Sequence, residues 1–342
     1  MKNTLEPVIE LIKKLSLEQR VSLYSHLETL KDHDEDRIDS IIKICKSEGC
    51  HKCCPHCHSS QFIKYGTYKD RQRYQCKICE RTFNELTGTS WHYIHDHDKF
   101  RCYFDCMAKQ LSLRETAKTV GISLPTSFYW RHKILNAFEK ADLKPLKGEI
   151  QVDDTFLLVS YKGDPLQELK TQRISRKRGG SAKKTGISDE QACIVAACDT
   201  EKNSILKFVG TGRLTKSMVY NALHPVIRKQ RVNKAIFVTD RHVSYQKFAK
   251  IKRLNHQTVA TSYGQYVNTQ GFHIQAVNSL HSRFKKWLIK FNGVATKYLQ
   301  NYLNFFRLWD KFSNIKERFI YFIRMSISDK FAFKRIFDLC QL

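Results

Sequence analysis

Four cysteines in two Cys-x-x-Cys pairs have the residue type and spacing of a structural zinc site. The pairs are separated by 18 residues and consist of Cys54 with Cys57 and of Cys76 with Cys79. Each pair suits a tight turn that presents two thiolates to one tetrahedral Zn²⁺, and the alternating segments between the pairs suit short strands. The pattern therefore predicts a zinc ribbon. Cys50 with Cys53 is a rival first pair.

Two aspartates on apolar, strand-like runs are candidates for holding divalent cations. Asp153 lies within "EIQVDDTFLLVSY", and Asp240 ends "KAIFVTD". If those strands are neighbours, their carboxylates converge at one sheet edge, where hard oxygen ligands bind Mg²⁺ or Mn²⁺. Two such ions can drive an in-line phosphoryl displacement. Asp154 and Asp199 are rivals on the same grounds, and any one of these aspartates alone could simply cap a turn.

A third carboxylate is missing from the expected place, because the 69 residues from Arg241 to Trp309 contain no Asp or Glu. The stretch "HIQAVNSLHSRFKKWL" instead offers Asn278 and Lys285, which lie seven residues apart and so share a helix face with His281. An Asn side chain can give an uncharged oxygen to a hard cation, and Lys285 could hold a DNA phosphate. A solvated basic helix would have the same spacing.

Residues 108–138 have the pattern of a helix-turn-helix. Three features indicate where its helices begin and end. Ser112 with Glu115 forms a capping box, Gly121 interrupts the helical pattern, and Pro125 suits the first turn of the second helix. The second helix would carry Arg131 and Lys133, which we expect to contact DNA. An ordinary helical hairpin has the same pattern, and the neighbouring ribbon and the basic charge favour the DNA-reading interpretation.

From residue 146 the pattern changes to α/β. Three strand-like runs, a helix, a fourth strand and further helices predict a mixed sheet with helices packed on it. The predicted divisions are a helical N-terminal segment (1–49, with a capping box at Ser16 and Gln19), the ribbon (50–90), the helix-turn-helix region (91–145), the α/β domain (146–312) and a C-terminal helical tail (313–342).

The net charge points to a polyanionic partner. The chain of 342 residues carries a formal charge of +26, and residues 241–342 hold 18 Lys and Arg against four Asp and Glu. Neutralising phosphates with such residues releases counterions, which favours nucleic-acid binding. No apolar run of about 18 residues and no signal-like segment is present, so we expect a soluble intracellular protein and no membrane partner.

The segments "HIQAVNSLHSRFKKWL" and "GVATKYLQNYLNFFR" resemble the end of the catalytic domain in a family of bacterial insertion-sequence transposases. That family has an N-terminal zinc ribbon and a ribonuclease-H-like catalytic domain, and it is akin to the eukaryotic Merlin elements. "EIQVDDTFL" and "AIFVTD" resemble its first and second aspartate strands. The resemblance covers roughly residues 50–312. Asn278 followed by Lys285 matches a branch that has Asn where many members have Glu.

The resemblance implies a DNA transposase whose catalytic residues are Asp153, Asp240, Asn278 and Lys285. It implies two Mg²⁺ (or Mn²⁺) ions held by the two aspartates, and a structural Zn²⁺ in the ribbon. Such a protein binds the terminal inverted repeats of its element, cleaves DNA there and transfers the strand to target DNA. Its partners would be double-stranded DNA and further copies of itself, in the cytoplasm at the nucleoid. A non-catalytic, domesticated or inactive DNA-binding protein and a nuclease without strand transfer are the alternatives.

Overall fold

The computed structural model describes residues 53–68, 71–139, 145–163, 182–227, 235–260 and 263–328, with Ser16, Gln19 and Gly180. The chain forms two compact units, Met1–Leu86 and Thr87–Leu342. Most of the predicted N-terminal helical segment and the end of the C-terminal tail lie outside the described residues. Ser16 and Gln19 do exchange the two hydrogen bonds of the predicted capping box, each backbone N–H donating to the other side chain.

The first unit contains a small antiparallel sheet built on the predicted strands. Its order is β1 (Phe62–Tyr68), β2 (Arg71–Cys76) and β3 (Thr82–Phe83). The rings of Phe62, Tyr74 and Phe83 pack together with centroids 5.3–5.6 Å apart. A core of this size is too small to hold a fold by itself, so the sheet depends on an additional cross-link.

The second unit begins with three helices, α1 (His97–Ala108), α2 (Leu113–Val120) and α3 (Leu124–Ala137). The residues predicted to begin and end the helices of the helix-turn-helix lie at those positions. Ser112 and Glu115 form a reciprocal capping box, and Gly121 ends α2 in the left-handed conformation at φ 70°. Pro125 lies in the first turn of α3. The local sequence therefore specifies both helices and the turn between them.

The prediction that Arg131 and Lys133 contact DNA is wrong, because both side chains are buried. Arg131 is 0% exposed and donates to the Tyr103 hydroxyl and the Leu111 carbonyl. Lys133 is 4% exposed and donates to the carbonyl of His92. Burial lowers the pKa of Lys133 to about 8. The C-terminal half of α3 is thus a core helix, and both cations hold protein groups in place of phosphates.

A five-stranded mixed sheet forms the centre of the second unit. Its strands are β4 (Glu149–Leu158), β5 (Gln191–Asp199), β6 (Ser204–Thr211), β7 (Ile236–Asp240) and β8 (Asn255–Val259). Their order is β6-β5-β4-β7-β8; β5 is antiparallel to both of its neighbours, and β7 and β8 run parallel to β4. This order and these directions are those of a ribonuclease-H-like sheet, which confirms the predicted fold class.

Helices cover both faces of the sheet. The helices α4 (Lys216–Leu223) and α5 (Val243–Lys252) pack on one face over Ile150, Val152 and Phe237. The helix α6 (Gln275–Ile289) lies on the other face, and α7 (Leu299–Asp310) packs beside it and bonds to the backbone of the edge strand β6 through Gln300. Because side chains alternate along β4, its even-numbered residues face α4 and α5 and its odd-numbered residues face α6.

The last described helix, α8 (Ile315–Ser328), packs back against the start of the same unit. The indole Nε1 of Trp91 donates to Ser326 Oγ at 3.0 Å, and the backbone N–H of Ser90 donates to the Ser326 carbonyl. The ring of Phe322 lies against Phe138 and Phe305. The predicted tail is therefore helical up to Ser328 and forms part of the core. Among the helices that the structure describes, none is long and apolar enough to cross a membrane.

Candidate active site

Parallel pairing of β4 with β7 brings two of the predicted aspartates together. The last paired residues of the two strands are Val152 and Thr239. The next residue along each strand is an aspartate, so Asp153 and Asp240 lie side by side. Neighbouring strands lie about 4.8 Å apart. Both aspartates alternate with core residues of the α4 and α5 face, so both point to the opposite face, under α6. The central strand and its parallel neighbour thus supply two carboxylates to one place.

The same alternation decides against the two rival aspartates. Asp154 points to the α5 face, where its Oδ1 accepts a hydrogen bond from the hydroxyl of Tyr245 at 3.0 Å. Asp199 caps the turn after β5, because its carboxylate accepts from the backbone N–H groups of Lys147 and Asn203 at 3.0 and 2.8 Å. Neither side chain points to the sheet face that Asp153 and Asp240 share.

Two contacts show where α6 crosses the carboxylates. The backbone N–H of Ala276 donates to Gln151 Oε1 at 2.9 Å, and His281 Nδ1 lies 3.9 Å from Asp153 Oδ2. Gln151 and Asp153 are successive odd-numbered residues of β4, so the helix crosses the strand above both. Asn278 lies half-buried on α6 between these two contact points, and Lys285 follows on the same helix face.

The electrostatics of the site indicate a missing positive charge. Burial, then the neighbouring charges of Asp154 and Asp240, raises the pKa of Asp153 to about 7, and Lys285 opposes the rise. Burial and the charge of Lys285 lower the pKa of His281 to about 4. The imidazole is therefore neutral at pH 7, so it forms no ion pair with Asp153. Two close carboxylates without a full counter-charge suit hard divalent cations.

Some residues that shape the site carry no chemistry-bearing motif and were not predicted. Gln151 anchors the first turn of α6, and Tyr245 holds Asp154 on the far face. The backbone N–H of His242 donates to Asp240 Oδ1 at 3.0 Å, which fixes that carboxylate at the end of β7. The two-residue spacing of Gln151 and Asp153 was the one available signal, since it places both on one face of a strand.

In the first unit, the four predicted zinc ligands meet in one cluster. The sulfur atoms of Cys54, Cys57, Cys76 and Cys79 all lie within 4.8 Å of one another. Cys54 Sγ is 3.7 Å from Cys79 Sγ, and Cys57 Sγ is 3.5 Å from Cys76 Sγ. Tetrahedral Zn²⁺ with Zn–S bonds of about 2.3 Å needs sulfur atoms about 3.8 Å apart. The thiols therefore fit one zinc ion.

The two Cys-x-x-Cys turns have the same backbone form. The residue after each second cysteine, His58 and Glu80, is left-handed at φ 62° and 57°. Backbone N–H groups point at the first sulfur of each pair, from His56 to Cys54 and from Ile78 to Cys76, both at 3.4 Å. Such donors stabilise thiolates. Cys53 is outside the cluster, which favours Cys54 with Cys57 as the first pair, and Cys50 lies outside the described residues.

Comparison with known proteins adds a family match. Residues 145–308 match the family model described as the ISXO2-like transposase domain. An uncharacterized protein in the transposable element ISH50 of Halobacterium salinarum is 25% identical over 265 residues, which cover 75% of this chain and 84% of that protein. A chain in the crystal structure of a pre-cleavage Mos1 transpososome is similar over 63% of this chain and 74% of that chain, at 10% identity and a TM-score of 0.23. That likeness is too weak to support a conclusion, and the fold rests on the strand order.

Proposed function

We propose that this protein, whose residues 145–308 match the ISXO2-like transposase domain, cuts and joins DNA for an insertion sequence. It binds the terminal inverted repeats of its element, cleaves DNA at their ends and transfers the freed strand to target DNA. The partners are double-stranded DNA at the ends and at the target. Two ends must be joined to one target, so at least two copies of the chain assemble on DNA, in the cytoplasm at the nucleoid.

The observation that carries this proposal is the register that sets Asp153 beside Asp240 beneath α6. The two carboxylates hold Mg²⁺ or Mn²⁺, and Asn278 adds an amide oxygen from the helix. Two such ions would activate the attacking oxygen and stabilise the leaving oxygen of an in-line displacement. Lys285 lies further along the same helix face and binds the scissile phosphate or a neighbouring one.

DNA binding is assigned to the ribbon and to the exposed part of the three-helix region. Zn²⁺ on the four cysteines would cross-link the ribbon, which has little core of its own. Since Arg131 and Lys133 are buried, the exposed cations Arg114 and Lys118 on α2 and the exposed first turn of α3 contact the DNA. The N-terminal end of such a second helix is the part that reaches base edges in other helix-turn-helix proteins.

A cleavage assay with matched aspartate variants tests the catalytic assignment. Purified protein is incubated with Mg²⁺ and a duplex that carries the inverted repeat flanking the reading frame. We expect cleavage at the repeat end by the wild type and by Asp154→Asn, and at least a hundredfold loss with Asp153→Asn or Asp240→Ala. Asp154 is the control because it adjoins Asp153 and points to the other face.

The products separate the remaining candidates. Joining of the cleaved ends to a supercoiled plasmid identifies a transposase, whereas cleavage without joining identifies a nuclease. Binding of the repeat duplex without cleavage by any form would leave the protein a non-catalytic DNA-binding protein and refute the proposal. Equal loss of cleavage with Asp154→Asn and Asp153→Asn would refute the assignment of the two faces.

A further inference from the structure

Two tyrosines are exposed on the segment that connects β8 to α6. The exposed fractions are 78% for Tyr263 and 60% for Tyr266, and the adjacent Val267 is 52% exposed. Large apolar and aromatic side chains left in water at one place indicate a binding surface more often than a structural role. The proposed catalytic residues make no use of these rings.

Hydrogen bonds hold the backbone on both sides of the two tyrosines. The backbone N–H of Tyr263 donates to the carbonyl of Ala260 at 2.9 Å, immediately after β8. At the other end, Asn268 Oδ1 accepts from the backbone N–H groups of Gln270 and Phe272 at 3.0 and 2.9 Å. Asn268 also donates to the carbonyl of Thr258 in β8 at 3.5 Å.

This segment leaves the sheet at the edge where Asp240 lies. Asp240 pairs with Val259 in the parallel register of β7 and β8, so both strands end there together. Arg241, the residue after Asp240, is exposed, and its guanidinium lies 6.0 Å from the centre of the Tyr263 ring. A cation and an aromatic ring therefore adjoin one of the two proposed metal-holding carboxylates.

The charge around the rings suits a phosphodiester strand. The chain has no Asp or Glu between Arg241 and Trp309, so no carboxylate of this segment or of α6 opposes an anion. Strands of DNA without a complementary partner bind where aromatic rings stack on bases and cations contact the backbone. A duplex keeps its bases inside the stack, so exposed rings of this kind gain stacking only from unpaired bases.

We propose that Tyr263 and Tyr266, with Arg241, form a stacking site for unpaired bases of DNA beside the cleavage centre. The site deepens the proposed function and rests on it, because the unpaired bases are those next to the strand that is cut or transferred. Tyr263 stacks on a base, Arg241 contacts the adjoining phosphate, and Tyr266 supplies a second ring on the same segment.

Binding of two single strands by the full chain tests this site, in a buffer that lacks Mg²⁺ and Mn²⁺ to prevent cleavage and contains no chelator, so that the ribbon keeps its Zn²⁺. The probes are a fluorescent oligothymidylate and an abasic strand of equal length, which has the same phosphates and no bases. We expect the double variant Tyr263→Ala with Tyr266→Ala to bind oligothymidylate about fivefold or more weakly, and the abasic strand as the wild type does. The double Tyr→Phe variant, which keeps both rings, retains wild-type binding of both strands.

Tyr220 provides a matched control on the opposite side of the sheet. It is 37% exposed on α4, and Lys252 Nζ lies 5.4 Å from the centre of its ring, so it is another tyrosine–cation pair. Tyr220→Ala leaves the preference for oligothymidylate over the abasic strand unchanged. A strand that carries 5-iododeoxyuridine locates the contact directly, because irradiation crosslinks the base to the ring on which it stacks.

Three results would overturn the proposal. One is equal binding of oligothymidylate by the wild type and the double Ala variant. Another is loss of affinity for both strands by the same factor, which shows that the variant has lost phosphate contacts only. The third is a change in oligomeric state of the double Ala variant without a change in binding, which assigns the rings to an interface between copies. Cleavage of the repeat duplex by the wild type in Mg²⁺, measured in parallel, shows whether the proposed function itself has failed.

Discussion

Asp153 shows how the fold gives one residue surroundings that its neighbour lacks. It and Asp154 are adjacent acids on the same strand, and the sequence gives equal grounds for both. The packing of α6 on one sheet face and of α5 on the other separates them. Asp153 meets His281 at 3.9 Å, while Asp154 meets the Tyr245 hydroxyl at 3.0 Å. The distinction depends on which helix covers which face, and that is a long-range property.

The raised pKa of Asp153 predicts a pH-dependent stability in the absence of metal. Because folding raises this pKa from its ordinary 3.8 to about 7, the folded state favours the protonated form. The contribution to stability is present below about pH 4 and is lost as the pH rises towards 7. In a buffer without Mg²⁺, Mn²⁺ or chelator, the melting temperature of the wild type relative to Asp153→Asn should therefore fall across this range, as differential scanning fluorimetry can measure.

Divalent cations should reverse this loss. At pH 7.5, Mg²⁺ or Mn²⁺ raises the melting temperature of the wild type because it binds the folded state and supplies the missing positive charge. Asp153→Asn shows a smaller rise. A difference in melting temperature between wild type and variant that stays constant from pH 4 to 7 without Mg²⁺ or Mn²⁺, together with equal responses to added Mg²⁺, would show that Asp153 holds no metal.

Arg131 is a residue whose role the sequence obscured. Its position on the second helix of a helix-turn-helix predicted a DNA contact, but its guanidinium lies beside the rings of Phe291 and Phe305, with each ring centre 5.8 Å away. Those rings belong to elements more than 150 residues further along the chain. Local pattern specifies that a helix forms here, and it does not specify which elements later cover that helix.

At the scale of elements, α6 is the helix that completes the site. Its face towards β4 carries Asn278, His281 and Lys285 at helical spacing, and its other buried residues pack against α7 through Phe284 and Trp287. The sequence predicted this helix and its face from spacing alone. The location of that face above Asp153 followed only from the fold, through the anchor between Gln151 and the first turn of α6.

Two adjacent lysines on α6 offer a test of this face. Lys285 and Lys286 are both exposed, but only Lys285 lies on the face of Asn278 and acts on the pKa values of Asp153 and His281. We expect Lys285→Ala to reduce the rate of repeat-end cleavage about tenfold or more, because a cation near the reacting phosphate is lost. Lys286→Ala should change the rate little.

Single-turnover cleavage with saturating protein separates this effect from weaker DNA binding. Lys285→Arg, which keeps the charge, should recover part of the rate. Similar rates for Lys285→Ala and Lys286→Ala would mean that both lysines serve only as general attraction for DNA. Their circular dichroism spectra, which should match that of the wild type, confirm that the helix is intact.

At the scale of the whole second unit, α8 is the last described helix and packs against the residues with which this unit begins. Ser326 accepts from the Trp91 indole and donates to the carbonyl of Ile323. Trp91 is 1% exposed and Ser326 is 0% exposed, so water has no access to this bond. The helix-turn-helix region and the sheet domain were predicted as separate divisions, and here they share one core with the tail.

Removal of the Ser326 hydroxyl should destabilise the whole unit. Ser326→Ala leaves the buried indole N–H of Trp91 without its acceptor, at a cost of about 1–3 kcal/mol in the free energy of unfolding. Urea denaturation followed by tryptophan fluorescence measures the change. Ser282→Ala, at an exposed position of α6, is the control and should alter the free energy by less than about 0.5 kcal/mol. Equal stability of the two variants would mean that this bond contributes nothing.

The parallel register of β4 and β7 also has a consequence for the timing of assembly during synthesis. The antiparallel strands β4, β5 and β6 emerge from the ribosome in succession, but Asp153 gains its partner only once β7 has been made, and neither carboxylate is covered until α6 follows. Pairings between distant parts of a chain form slowly. A nascent or prematurely terminated polypeptide that ends before α6 therefore has Asp153 and Asp240 without the helix that carries Asn278, His281 and Lys285.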